Sequence, residues 1–288
     1  MVNLSVVILS YNTRELTTEC LRSIALQCKK ELEKKELEII VVDNNSSDDS
    51  VKNIEKLDYI NLIQSKENLG FGKGCNLGAK NAKGKYVLFL NSDTQIKDNG
   101  FFEMVKFMEK DSRVAILGGK LKNDDGSTQP SAGKFYNLFN LILMLLSMER
   151  LGFLRSSPNE IKKVDWISGA CMMVKSDIFK KLSGFNEKLF MYVEDMEICY
   201  RAKKLGYDTY FYPDIKLIHK SLGSSNRTFA IINIYRGILW FYSKHKTRFE
   251  YLVAKTLLIL KAKIVILIGT IAFNSKLKER YEKAMSEL

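Results

Sequence analysis

Along the first third of the chain, apolar residues fall in short, nearly unbroken runs, and each run ends in a cluster of small polar side chains. Leu4–Leu9 stops at Ser10-Tyr11-Asn12, Leu37–Val42 at Asp43-Asn44-Asn45-Ser46-Ser47-Asp48, and Tyr86–Leu90 at Asn91-Ser92-Asp93-Thr94. Such runs are too short for free-standing helices and suit strands buried on both faces of a parallel sheet. Between the first two, Leu16, Cys20, Leu21, Ile24 and Ala25 are spaced along one face of a helix over Thr13–Gln27. Tyr59–Gln64 predicts a third strand, and the glycine-rich stretch Asn68–Gly78 leads into a short helix. Strand and helix alternate throughout, which predicts an α/β, Rossmann-like, mostly parallel sheet flanked by helices. Open sheets of this kind bind ligands at the carboxyl ends of their strands.

Further on, the pattern predicts a helix over Phe101–Glu109, a strand over Val114–Gly118, a hairpin turn at Asp124–Ser127 and a strand over Trp166–Val174. Leu138–Met148 is apolar but too short to span a bilayer, so it reads as a core or interfacial helix. Val193–Leu205 is a helix stopped by Gly206. On one face of it lie Met191, Asp195, Ile198, Ala202 and Leu205, with Asp195 as the polar exception; Glu194, Glu197, Arg201, Lys203 and Lys204 point elsewhere. Glu197 is placed to pair with Arg201 one turn on. Asp195 reads either as a helix-capping carboxylate or as a charged group with partners and a task. Asn91–Thr94 is open in the same way: a turn, or a site in which a carboxylate holds a hard cation and the cation a diphosphate. Short strands at Tyr207–Tyr212 and Lys216–Ile218, around Pro213, deliver His219 to a Gly/Ser loop suited to ligand binding. His245, among Lys244, Lys246 and Arg248, reads as part of a solvated face.

Composition narrows this picture. The 288 residues, 46% apolar and 27% charged, describe a globular chain with a sizeable core: one large domain with an appendage, or two small ones. The net charge of +12 is uneven, because 14 Lys/Arg against 4 Asp/Glu after Ile215 leave +10 in the C-terminal region. That region contains an aromatic-rich helix, Phe229–Lys244, and a long apolar stretch, Phe249–Phe273, interrupted by Lys255, Lys261 and Lys263. Full insertion would carry lysines into the bilayer core, so the stretch is expected to lie on an anionic membrane surface. The alternatives are packing on its own domain or on a second copy in a homodimer. Disorder is expected only after Asn274. The five cysteines lack metal-ligand spacing and read as buried thiols of a reducing compartment. The chain enters a strand at once, so a signal peptide is not expected and the predicted location is cytoplasmic, peripheral at the inner face of the membrane.

No G-x-G-x-x-G follows the first strand and no Walker A motif occurs, so a nucleotide would not be held as in dehydrogenases or P-loop enzymes. A nucleotidyltransferase would want a glycine- and basic-rich loop where Ser10-Tyr11-Asn12 stands. A nucleic-acid binder would show aromatics alternating with basic residues on a strand face, and none is seen. A non-catalytic membrane-bound scaffold explains the basic C-terminus but not Asp195.

Taken together, Val6–Asn12, Val42–Asp48, Asn68-x-Gly70-Phe71-Gly72-x-Gly74-x-Asn76-x-Gly78, Leu90–Asp93, Trp166-x-x-Gly169-Ala170, Gly184-Phe185-x-Glu187, Glu194-Asp195 and His219-x-x-x-Gly223-x-Ser225 resemble the inverting, GT-A-fold glycosyltransferases of family two. The subgroup they most resemble is the bacterial rhamnosyltransferase-like enzymes of polysaccharide assembly. The resemblance covers roughly residues 2–227 and implies a catalytic domain there, followed by a helical, basic region over 228–288. It implies a nucleotide-sugar donor, a glycan or lipid-linked glycan acceptor and a Mn²⁺ or Mg²⁺ cofactor. Asp43 would accept a hydrogen bond from the donor's base, with Ser10, Tyr11, Asn12, Asn45, Lys73, Asn76, Asn91 and Ser92 around the donor. Asp93 and His219 would hold the metal, Trp166, Gly169, Ala170 and Glu194 the acceptor or sugar, and Asp195 would be the general base. Asn91 departs from the family's D-x-D motif by lacking its first carboxylate, which should weaken the metal site and make His219 matter more. Rhamnose is the first choice of donor sugar; galactofuranose, glucose and N-acetylhexosamines are the alternatives.

Overall fold

A computed structural model of the chain describes residues 1–148, 152, 154–220 and 227–288. Its first half contains β1 (Leu4–Ser10), α1 (Arg14–Gln27), α2 (Lys29–Glu33), β2 (Leu37–Asp43), α3 (Ser50–Ile54), β3 (Ile60–Gln64), α4 (Phe71–Lys80), β4 (Tyr86–Asn91), β5 (Thr94–Ile96), α5 (Gly100–Glu109) and β6 (Val114–Lys122). Next come β7 (Thr128–Gln129), β8 (Ala132–Gly133), α6 (Leu138–Leu145), β9 (Arg155–Ser156), β10 (Lys162–Val164), β11 (Trp166–Ile167), β12 (Cys171–Lys175), α7 (Ser176–Lys181), α8 (Glu194–Lys204) and β13 (Asp208–His219). Helices α9 (Arg227–His245), α10 (Arg248–Ile271) and α11 (Ser275–Met285) close the chain.

The main sheet runs β10-β13-β6-β12-β4-β1-β2-β3, with β5 added on β13 and β7 on β6; β11, β8 and β9 form a small second sheet. Strands β4, β1, β2 and β3 are parallel, as expected of their apolar runs. The pleat sends alternate residues to opposite faces. Val7, Ile40 and Phe89 enter one core, while Val6, Ile8, Ile39, Val41, Leu88 and Leu90 enter the other. Phe89 is fully buried, its ring 5.0 Å from that of Phe179 and 4.9 Å from that of Phe185. Burying a side chain of this size contributes about 1.5–3 kcal/mol.

Several elements differ from the sequence pattern. The run Trp166–Val174 is not one strand: it leaves the small sheet after Ile167 and joins the main sheet at Cys171, because Ser168 donates its amide to Ser131 O and turns the chain. The strands on either side of Pro213 are one, β13, whose register shifts between Tyr212 and Leu217. A bulge there accommodates a proline that has no amide to donate. The segment after Asn274 is ordered as α11, with the Asn274 side chain accepting from Leu277 N and Tyr281 packed edge-on to Tyr235. Residues of α9, α10 and α11 belong to the same apolar cluster as α7 and α8. The turn at Asp124–Ser127 does form the β6–β7 hairpin, and all five cysteines are buried and free. Burial pushes the thiols of Cys20, Cys28, Cys171 and Cys199 up to about 12, so none is a nucleophile at neutral pH.

The largest departure lies on α8. Leu205 is half-exposed, whereas Glu194 and Glu197 are buried. Arg201 donates Nε to both carboxylate oxygens of Glu197 at 2.9 Å, as the spacing predicted, and spends its other nitrogens on Leu182 O and Gly184 O. His245, expected on a solvated face, instead places Nε2 3.0 Å from Glu197 Oε1. A charged residue goes inside when its partners go with it, and that pairing is invisible to helical periodicity. Burial alone would raise the Glu197 carboxyl; the hydrogen bonds from His245 and Arg201 outweigh it and leave the group below its ordinary 4.5. The stability this contributes is therefore present above the unfolded value and lost as pH falls through the lowered, folded one. Arg201→Ala is expected to cost about 3 kcal/mol in urea unfolding at neutral pH, because it strands a buried carboxylate. An unchanged unfolding midpoint would show that His245 alone satisfies Glu197.

Candidate active site

In-register pairing sets Ser10 opposite Asp43 and Leu9 opposite Asn91, so the polar ends of β2, β1 and β4 come out side by side at one edge of the sheet. Asp43 is buried; Oδ2 accepts from Ser46 N at 2.9 Å, while Oδ1 has no partner among the described residues. A buried carboxylate oxygen left unpaired is costly and marks a place for a donor from outside the chain. Around it, Asn12 accepts from Ser47 N (2.7 Å) and donates its own amide to Ser46 Oγ (3.0 Å), tying the loop after β1 to the loop after β2. Tyr11 and Asn45 are exposed at this rim, Asn12 and Asn45 both with positive φ. Asn44, which the sequence did not single out, accepts from Leu69 N and donates to Asn68 Oδ1, anchoring the glycine-rich loop. Gly70 is required in that loop: φ is +76°, and a Cβ would lie 2.2 Å from Phe190 O.

Four of the expected donor contacts have other duties. The Ser10 hydroxyl is fully buried against Thr17 Oγ1 (3.0 Å) and Thr13 Oγ1 (3.3 Å), and Ser92 Oγ joins the same cluster through Thr13 at 3.2 Å. These hydroxyls hold the strand ends together. The Asn76 amide is used at both ends by Phe185, accepting from its N (2.8 Å) and donating to its O (2.9 Å), so it braces the loop after α7. Lys73 pairs with Glu67 at 3.5 Å.

Asp93 and His219 are in direct contact, Oδ1 to Nε2 at 3.1 Å, on half-buried ground. The contact is built by the backbone: His219 pairs with Thr94 across β13 and β5, and Lys220 N donates to Asp93 O. His219 Nδ1 faces Gln129 Oε1 at 2.8 Å, and Gln129 Nε2 also donates to His219 O. With the Nδ1 proton given to Gln129, Nε2 turns its lone pair toward Asp93 and toward the Asn91 amide, 3.2 Å away. Two acceptors that close call for a proton or a cation between them. Their 3.1 Å separation is near the ~3.0 Å between adjacent ligands of an octahedral cation. The residues present thus fit a divalent metal. The protein's share is small, since no cluster of three His, Cys, Asp or Glu suited to a metal occurs among the described residues. Gln129 was missed because its partner lies 90 residues away. Gly223 and Ser225 lie outside the described residues.

Asp195 stands in the first turn of α8. Tyr192 and Val193, at φ 69° and 73°, turn the chain sharply into the helix. Left-handed backbone at a β-branched residue is strained and persists only when neighbours hold it. Gly237 of α9 is one such neighbour, since a Cβ there would meet the Val193 side chain at 2.8 Å. Asp195 Oδ2 accepts from Gly169 N (3.2 Å) and Oδ1 from Met196 N (2.7 Å). Burial pushes the Asp195 carboxyl up, against those two amides and the Arg155 guanidinium. Burial pushes the Glu194 carboxyl well up too, with the Asp195 charge adding to it, and Glu194 Oε2 has no partner among the described residues. Burial thus pushes both adjacent carboxyls in the same direction, and only Asp195 has backbone amides of other residues opposing it. Ala170 O accepts from Asn91 N, so the chain that holds Asp195 is bonded directly to the end of β4. Trp166 donates Nε1 to Lys134 O and lies beneath Arg155, whose guanidinium is 5.5 Å from the ring centre.

The sequence profile of glycosyl transferase family 2 matches residues 5–183. The chain belongs to this family. Among curated family relatives, the N-acetylglucosaminyl-diphospho-decaprenol L-rhamnosyltransferase of Mycobacterium tuberculosis is 25% identical over 215 residues, covering 66% of this chain and 68% of its own. The rhamnosyltransferase WbbL of Escherichia coli is 29% identical over 233 residues, 76% of this chain and 83% of its own. Among solved structures, the mannosyltransferase PcManGT from Pyrobaculum calidifontis, in complex with GDP-Man and Mn²⁺, superposes over 99% of this chain and 85% of its own with a TM-score of 0.60 at 15% identity. At that identity the likeness bears on the fold, which is GT-A. The family match ends at residue 183, before Asp195 and His219.

The unpartnered oxygen of Asp43 is where the sequence leads one to expect a contact with the donor's base. Asp43→Asn is expected to weaken nucleotide-sugar binding about 10–100-fold, as for a lost hydrogen bond to a charged group. Asparagine would still accept from Ser46 N, so the loop should hold. An unchanged dissociation constant in calorimetry would remove Asp43 from the donor site.

Proposed function

We propose that the protein transfers a sugar, with rhamnose as the first candidate, from a nucleoside-diphosphate sugar to a hydroxyl of a glycan or lipid-linked glycan, inverting the anomeric centre. The observation that carries this reading is the connection of Asp195, through Gly169 and Ala170, to the strand end that bears Asn91 and Asp93. A base at Asp195 and a cation-binding carboxylate at Asp93 would then stand at one edge of the sheet. Asp195 takes the proton of the acceptor hydroxyl, the oxygen attacks the anomeric carbon, and the nucleoside diphosphate leaves from the opposite face. Asp93 and His219 would hold Mn²⁺ or Mg²⁺, whose charge would stabilise the departing diphosphate. Asp43 receives the base, and Trp166 and Glu194 border the acceptor side.

The test is to incubate the protein with Mn²⁺ and a panel of nucleotide-sugars and to measure nucleoside diphosphate release. Hydrolysis of one donor supports the reading and names the sugar. If no donor is turned over, with or without a prenyl-diphosphate-linked sugar present, the reading is wrong.

Residues 228–288 serve in this proposal as the membrane-facing part. No helix among the described residues is long and apolar enough to cross a bilayer. One face of α10 is buried through Ala254, Leu258, Ala262 and Val265, while Leu260, Ile264, Leu267, Ile268 and Ile271 are exposed. Phe139, Ile142 and Leu146, in or beside α6, are exposed as well. Apolar faces of this extent on a basic region suit an anionic surface. Truncation would strip core residues, so substitution is the cleaner probe. Ile264→Glu together with Ile268→Glu is expected to abolish sedimentation with anionic vesicles. A double variant that still pellets, or a wild type that dimerises and ignores vesicles, would assign the face to a second copy instead.

A further inference from the structure

Below Trp166 lies a cavity of about 310 Å³ between α6 and the C-terminal helices. Its rim carries Lys134, Arg155 and Lys261, and its walls include Tyr136, Met144 and Tyr235. No carboxylate pairs with any of the three cations among the described residues. Lys203 and Lys163, close by in sequence or packing, are by contrast neutralised by Asp165 and Asp208. Cations gathered around a hollow with no carboxylate paired to them select an anion. On the inner side, Arg155 lies over Trp166 and its charge is felt at Asp195, the proposed base. On the outer side, Lys261 sits on α10 between exposed Leu260 and Ile264, and Met144 sits on α6 between exposed Ile142 and Leu146. A cationic hollow therefore opens beside an apolar surface.

We propose that Lys134, Arg155 and Lys261 form a subsite for the phosphate groups of a lipid-linked acceptor, with its hydrocarbon chain leaving across the exposed faces of α6 and α10. This rests on the glycosyltransferase reading and specifies its acceptor. The order of the features matches the order of chemistry in such a molecule. The base lies at the sugar hydroxyl, the cations at the phosphates and the apolar helices at the chain. Charge-assisted hydrogen bonds supply the affinity at the phosphates, and apolar contact supplies it at the chain.

The test uses the full chain and calorimetry with geranylgeranyl diphosphate as the probe. Geranylgeraniol and inorganic diphosphate isolate its two halves. The probe is expected to bind about tenfold tighter than either half. Lys134→Gln combined with Lys261→Gln should remove that advantage, as should Arg155→Gln on its own. Lys263→Gln combined with Lys276→Gln, outside the cavity and equal in lost charge, should preserve it. Equal weakening by both double variants, or no preference of the wild type for the intact probe, overturns the subsite. Displacement of the probe by phosphatidylglycerol vesicles would assign the cations to ordinary lipid headgroups and also overturn it. Donor turnover is measured on the same preparation. Turnover without probe preference sinks the subsite and leaves the transferase standing, whereas probe preference without turnover keeps the subsite and sinks the transferase.

Discussion

Replacing Asp195 by asparagine is expected to lower the rate of sugar transfer about 10³-fold while leaving the donor dissociation constant near that of the wild type. Asparagine is nearly isosteric, but its single carbonyl oxygen keeps only one of the two bonds that Gly169 N and Met196 N donate to Asp195. What it cannot do is take a proton. A base acts on the acceptor in the transition state and contributes little to the complex with donor alone. Because burial raises the Asp195 carboxyl above its ordinary 3.8, the acid limb of kcat/KM should fall at a higher pH than for a solvated aspartate. Below that limb the protonated base is inactive. Glu194→Gln is the comparison: it removes the adjacent carboxyl and leaves Asp195 with both its amides, so it should lower the rate far less than Asp195→Asn. Loss of donor affinity in step with rate in the Asp195 variant would show that the residue holds the donor and does not act as base.

The second large effect is expected at the Asp93–His219 pair. At limiting Mn²⁺, Asp93→Ala should weaken donor binding by about 100-fold, and His219→Ala should do so comparably, since Asn91 brings no charge to the site. Gln129→Ala should cost about tenfold, because it frees the imidazole to rotate and to change tautomer. Excess Mn²⁺ should restore binding partly in the Gln129 variant and least in the Asp93 variant. Titration of donor affinity against Mn²⁺ reads all three. A His219 variant that follows the wild-type curve would exclude the histidine as a ligand.

The parallel half of the sheet, the positions of Asp43 and Asp93 at strand ends and the family were legible in the chain itself. The reason is local: a doubly buried strand must be apolar along its whole length, and its first polar residues mark where it leaves the core. The Glu197–Arg201 pair was legible too, being one helical turn apart. What distant segments decide was not. Whether Glu197 faces out or in depends on His245, 48 residues later, and the setting of His219 depends on Gln129 across a hairpin. Whether the Ser10 hydroxyl meets a ligand or Thr17 depends on how α1 docks on β1. The upward push on the Glu194 and Asp195 carboxyls follows from burial, which no spacing of residues reports. Periodicity states which face of an element is apolar. Only the packed chain states which polar groups find partners inside, and those partners turn a carboxylate at a strand end or in a helix's first turn into a site.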